Sequence, residues 1–107
     1  MCIRDRMKKD PLYWKGGIKV KQGYAGLKAL ESLEEKMGQI ELPIYIQQGA
    51  EDKVVRPQGA EKLFSAIKSK DKELKMYPEA YHDMYIELHE VRDQVVKDCI
   101  QWLLKRL

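Results

Sequence analysis

Apolar positions recur along this chain with two different periods, and the switches between them mark out its elements. In residues 22–37, Tyr24, Leu27, Leu30, Leu33 and Met37 follow at three- and four-residue steps, with Glu31, Glu34, Glu35 and Lys36 off that stripe. This predicts an amphipathic helix that packs one face and stops near Gly38. Residues 43–48 are mostly apolar, bounded by turn residues and too short for a helix, so they read as a strand, with 49–57 the loop at its C-terminal end. Ala60, Leu63, Phe64 and Ile67 share one side of a helix predicted over 58–69, and Leu74, Lys75, Met76 and Tyr77 alternate as a second strand. Residues 90–107 close the chain with Val91, Val95, Cys99, Trp102 and Leu103 as an apolar stripe, broadened by Val96, Ile100 and Leu107. That is a docking helix of about five turns.

Helix, strand, helix, strand, helix is the order of an α/β fold with parallel strands joined by a right-handed crossover. Two strands make a marginal sheet, so the sheet is expected to be incomplete. The 107 residues suit one small domain, and 44% hydrophobic with 35% charged residues is a globular composition. The net charge of +3 comes from 20 basic and 17 acidic residues interspersed along the chain, a spread that argues against a nucleic-acid footprint. No apolar run reaches the roughly 20 residues of a membrane-spanning helix. Cys2 and Cys99 match neither a zinc site nor a redox pair, and Cys99 reads as a small core residue. Residues 1–7 begin Met-Cys-Ile-Arg-Asp-Arg, without periodicity or cap, and are expected to be a non-native leader; 8–107 would then be the domain proper.

Parallel strands run the same way, so the loops after Gln48 and Tyr77 leave the same sheet edge, where open α/β sheets bind ligands. Those loops carry Asp52 and His82, the residue types of a carboxylate that orients an imidazole base. Taken alone, the pair stays ambiguous: Gly-Ala-Glu-Asp is an ordinary turn signal and a loop histidine is commonly a surface residue. The serines are Ser32, Ser65 and Ser69, and none lies in the Gly-x-Ser-x-Gly turn that such chemistry uses.

Leu42-Pro43, Gly49-x-x-Asp52 and Leu74-Lys75-x-Tyr77-x-x-x-Tyr81-His82, with Glu87 five residues on, resemble the monoglyceride lipases of the α/β-hydrolase superfamily, a group also called serine aminopeptidase S33-like or lysophospholipase-like. Asp10-Pro11-Leu12 and Gly17-Ile18-x-Val20 are similar to that family's segment leaving the cap. The resemblance covers about nine tenths of the chain. It implies the C-terminal part of an α/β-hydrolase domain, with 8–22 the end of the cap. Asp52 would be the triad acid and His82 the triad base of a carboxylic ester hydrolase acting on monoacylglycerol or lysophospholipid esters, its serine lying upstream. Leu12, Ile18 and Val20 would be candidates to line an acyl pocket. No metal or organic cofactor is implied. Lipid substrates would suit a cytoplasmic or peripheral-membrane setting, and the oligomeric state stays open. Glu51 is expected to be solvated, Tyr81 to pack beneath the histidine loop, and His89 to be a surface or capping residue. Pro78-Glu79 and Asp83 depart from the family pattern.

Two expectations follow. By itself the 107-residue chain should be inactive, because neither a nucleophile elbow nor an oxyanion-hole loop lies within it. The alternative class is a stand-alone or non-catalytic interaction module that binds a partner through a helix face such as Leu27, Leu30, Leu33 and Met37.

Overall fold

The computed structural model describes residues 7–107, so the expectation of a leader over residues 1–7 falls almost wholly outside the described residues. The chain divides into two compact units, Met1–Glu34 and Glu35–Leu107.

In the first unit the Asp10 carboxylate accepts the Leu12 N–H at 2.8 Å, and the Asp10 carbonyl accepts that of Tyr13. The Trp14 ring folds over Gly16, where a Cβ would sit 2.3 Å from the indole, so glycine is needed for this close approach. Helix α1, Val20–Lys36, opens with the Gln22 side chain accepting the Lys19 N–H at 3.1 Å, half of a capping box. The predicted stripe is present. Its burial is not: Tyr24, Leu27 and Leu30 are 60–62% exposed, and no residue of α1 is buried. A 3.6-residue period reports a face suited to burial, and only a covering surface turns it into core.

The second unit takes in the last two residues of α1 and continues with a 3-10 turn, Met37–Gln39, and β1, Ile44–Gly49. Helix α2, Gln58–Ala66, begins after Pro57, whose fixed φ suits a first turn. It ends three residues before the predicted Ser69. The reason is Lys72, whose Nζ donates to the carbonyls of Phe64 at 2.7 Å and Ile67 at 2.8 Å, capping the negative end of the helix while Ile67 turns extended into the core. Strand β2, Lys72–Tyr77, pairs with β1 in parallel from Ile44 opposite Lys72 to Gly49 opposite Tyr77. A second 3-10 turn, Met84–Ile86, leads into α3, His89–Leu104.

The two strands form the sheet of the described residues, and their faces differ chemically. By the two-residue alternation, one face carries Ile44, Ile46, Leu74 and Met76, and α2 lies on this side. The other face carries Tyr45, Gln47, Lys75 and Tyr77, and α3 docks there. That docking is part apolar and part hydrogen-bonded. Val95 is fully buried with Tyr77, Ala80 and Met84, Val91 packs against them, and Trp102 stacks on Tyr45 with ring centroids 5.6 Å apart. Among these groups the Tyr77 hydroxyl donates to Asp98 Oδ2 and accepts from Gln47 Nε2, both at 2.8 Å. Gln47 also donates to the Val95 carbonyl and accepts from the Tyr85 hydroxyl, and Asp98 is closed by Lys75 and Gln94. Burial pushes the Tyr77 phenol far up, and its Tyr45 and Asp98 contacts push the same way, so it stays a neutral donor.

The residues that broaden the last stripe, Val96, Ile100 and Leu107, face outward, as does Leu103 of the stripe itself, and the helix stops at Leu104. Just beyond it, Arg106 stacks over Trp102 and grips Asp71 through two hydrogen bonds, which hold the Asp71 carboxyl below its usual range.

Tyr77→Phe keeps the ring and removes the hydroxyl at the hub of the network. Loss of about 1–2 kcal/mol is expected, read as a lower urea midpoint at unchanged slope; an unchanged midpoint would mean that the network adds nothing to the apolar docking of α3.

Candidate active site

The ladder of the sheet continues past its last paired residues. The Ala50 N–H donates to the Tyr77 carbonyl at 2.9 Å and the Glu51 N–H to that of Ala80 at 3.0 Å, so the two loops leave the sheet edge already joined. They can come this close because the first loop starts at Gly49. A Cβ there would lie 2.2 Å from the Tyr81 carbonyl oxygen and 2.4 Å from that of Ala80, inside any real contact distance and against backbone.

Asp52 sits in the crook of this junction with its side chain 2% exposed. Every acceptor direction of the carboxylate is used. Oδ1 accepts the N–H groups of Val54 at 2.8 Å and Val55 at 2.9 Å. Oδ2 accepts Gln48 Nε2 at 2.9 Å and lies 2.9 Å from His82 Nδ1. Burial pushes the carboxyl up, but the hydrogen bonds from Val55, His82, Val54 and Gln48 together outweigh it and hold Asp52 well below the ordinary carboxylate range. An ionised carboxylate is an acceptor only, so the proton in the shared bond belongs to Nδ1 of the imidazole. That leaves Nε2 as the lone-pair nitrogen of neutral His82, on a side chain that is 49% exposed. With a buried, ionised acid behind it, the half-open imidazole can take a proton at Nε2, and the carboxylate stabilises the resulting cation.

The histidine loop has its own fastening. Glu87 Oε1 accepts the Tyr81 N–H at 2.9 Å, directly before the imidazole-bearing residue. Tyr81 does not pack under the loop as expected; its ring is about half exposed, with the Lys53 ammonium 5.8 Å from the ring centre. The short Ala80, fully buried, fills that core position instead. Glu51 and Asp83 are exposed, and His89 is an exposed first residue of α3 beside the Arg92 guanidinium.

Asp52 and His82, predicted from opposite ends of a thirty-residue separation, are thus in contact. Leu12, Ile18 and Val20 lie in the first unit and are exposed, Ile18 beside a shallow hollow with Trp14 and Gln22. Sequence reasoning missed Gln48, Val54 and Val55, and it quoted Gly49 in a motif without the close approach that glycine allows there. Gln48 had a visible signal, the second of two amides that close a strand begun by apolar residues, whereas backbone donors carry no residue signature. Among the described residues, no group of three or more His, Cys, Asp or Glu is placed to hold a metal ion, and no helix is long and apolar enough to cross a membrane.

The profile of the serine aminopeptidase S33 family matches residues 2–89. The chain belongs to that family. Among S33-like relatives, it is 36% identical over 103 residues to the monoglyceride lipase of Mus musculus, covering 96% of this chain and 34% of that protein. It is 35% identical over 97 residues to the monoglyceride lipase of Homo sapiens, covering 91% and 32%. A crystal structure of the monoacylglycerol lipase of Paleococcus ferrophilus superposes with a TM-score of 0.82 at 25% identity, over 96% of this chain and 39% of that one. The chain therefore has an α/β-hydrolase fold and spans about a third of the length of the curated relatives it matches.

Gly49→Ala forces the two loops apart by the width of a methyl group. Amide exchange at Ala50 and Glu51 is expected to accelerate by about tenfold or more, and exchange at wild-type rates would show that the histidine loop is not seated on Gly49.

Proposed function

We propose that this chain carries the acid and base of a Ser-His-Asp triad in a carboxylic ester hydrolase of monoacylglycerol or lysophospholipid type. The carrying observation is the buried, fully hydrogen-bonded Asp52 carboxylate against His82 Nδ1. Family membership and the names of the relatives support the substrate class.

The chemistry follows from the geometry. A serine hydroxyl presented to His82 Nε2 would lose its proton to the ring as its oxygen attacks the ester carbonyl. The ring becomes an imidazolium, and Asp52 Oδ2 bears directly on its other nitrogen and stabilises the new charge. As the tetrahedral adduct collapses, Nε2 returns the proton to the leaving glycerol oxygen and an acyl-enzyme remains. Water then repeats the sequence with His82 as base and releases the fatty acid. The serine and the oxyanion donors would come from polypeptide beyond these residues.

The 107-residue chain alone is expected to show no ester turnover. Joined to an upstream half that contains Gly-x-Ser-x-Gly, it should hydrolyse monoacylglycerol, with about 10³–10⁴-fold loss of kcat in His82→Ala or Asp52→Asn. Turnover that survives both substitutions would sink the reading.

Peripheral contact with lipid belongs to the same proposal. Lys8, Lys9, Lys15, Lys19 and Lys21 accompany the exposed Leu12, Trp14, Ile18 and Val20, a cationic and apolar mixture suited to an anionic interface. Co-sedimentation with phosphatidylserine-containing vesicles, weakened by Trp14→Ala and by high salt, is expected; no difference between anionic and neutral vesicles would refute it.

A further inference from the structure

We propose that Gln48 is a positioning residue that sets the basicity of His82 through the carboxylate oxygen the two side chains share. The proposal rests on the triad reading of Asp52 and His82 and adds a member to it. Asp52 Oδ2 receives two donors, Gln48 Nε2 and His82 Nδ1, each at 2.9 Å, whereas Oδ1 receives the Val54 and Val55 amides. The division matters. Two backbone bonds to Oδ1 already fix the rotation of the carboxylate, so Gln48 is not needed to aim it. What Gln48 changes is the electron density left on Oδ2 for the imidazole, because an acceptor that serves two donors binds each less strongly. The other amide contact of Gln48, to the carbonyl of its neighbour Gly49 at 3.1 Å, keeps the side chain turned toward the acid loop.

Other charged groups on these loops have different engagements. Glu87 is taken by the Tyr81 N–H, Lys53 lies over the Tyr81 ring, and Glu51, Arg56, Glu79 and Asp83 are exposed to solvent. On α3, which follows the histidine loop, Arg92 faces His89 and Asp93. Gln48 is the side chain that shares an acceptor atom with His82.

The geometry predicts the sign of the effect. Gln48→Met keeps the length and removes the donor, so Oδ2 concentrates its charge on Nδ1–H and the imidazolium is better held. The pH at which the His82 ring titrates should rise by about 0.5, and Gln48→Glu, which adds negative charge beside Asp52, should raise it further. A merely structural role gives the opposite or nothing, since a loosened carboxylate holds the cation less well.

The test is a nitrogen-15 NMR titration of the 107-residue chain, in which His82 and His89 are the only histidines and His89 serves as the internal reference. Ordered upward shifts from wild type to Met to Glu, with His89 unmoved, support the proposal. No shift, or a downward one, in Gln48→Met overturns it while leaving the pair intact; should that variant not fold, Gln48→Leu, which also lacks the donor and adds no charge, decides in the same way. Wild-type chain with its neutral His82 protonated on Nε2 would overturn the triad reading itself, a result visible before any variant is made.

Discussion

The arrangement of the candidate site depends on one register: parallel pairing that ends with Gly49 opposite Tyr77. Because the strands run the same way and stop level with each other, the chain leaves both at one edge, and the next two backbone bonds tie the departing loops together. A register slip of one residue would invert the faces of β1 and carry Gln47 away from α3 and Gln48 away from Asp52. Gly49 is where this constraint is tightest. The carbonyls of Ala80 and Tyr81 occupy the space of a side chain there, so absence of a Cβ is what allows an acid and a base thirty residues apart to meet.

The same register explains why one small sheet can hold two helices by different physics. On one face the apolar side chains of β1 and β2 lie on the side of α2, whose end is capped by Lys72. On the other, Gln47 and Tyr77 place polar atoms in the docking interface of α3, and each finds a partner among Asp98, Val95 and Tyr85, with Lys75 pairing Asp98 in turn. Buried polar groups are tolerable when fully satisfied, and a satisfied network also fixes rotation and depth in a way that an apolar stripe cannot.

This contrast accounts for what the sequence made legible. Elements with a strong period were placed to within a few residues, α1, β1, β2 and α3 among them, and parallel topology followed from their order. Loop position put Asp52 and His82 at one sheet edge, residue type alone left them ambiguous, and the resemblance to the monoglyceride lipases singled them out. Less accessible were features whose cause lies off the local pattern. The end of α2 is set by a lysine from the next strand. The hub at Tyr77 and Asp98 joins residues that look like ordinary strand and surface positions. The exposed stripe of α1, and Ile100 and Leu103 on α3, show the limit of periodicity: it ranks faces by apolarity and says nothing of what covers them.

The electrostatic design of the pair draws on a narrow stretch of chain. Three of the four donors to Asp52 come from Gln48, Val54 and Val55, all within four residues of it, and the fourth is the imidazole. Two amides at fixed backbone positions stabilise and orient the carboxylate without competing for the oxygen that faces His82. An acid held ionised in this way cannot accept the imidazole proton outright, and its contribution is to orient the ring and balance its charge. The histidine side is built on the opposite principle. It is half exposed, and its loop is fastened by one carboxylate, Glu87, and by the junction over Gly49. A rigid buried acid and an accessible ring suit a proton carrier, which must keep its tautomer while its far nitrogen meets a partner from outside these two loops.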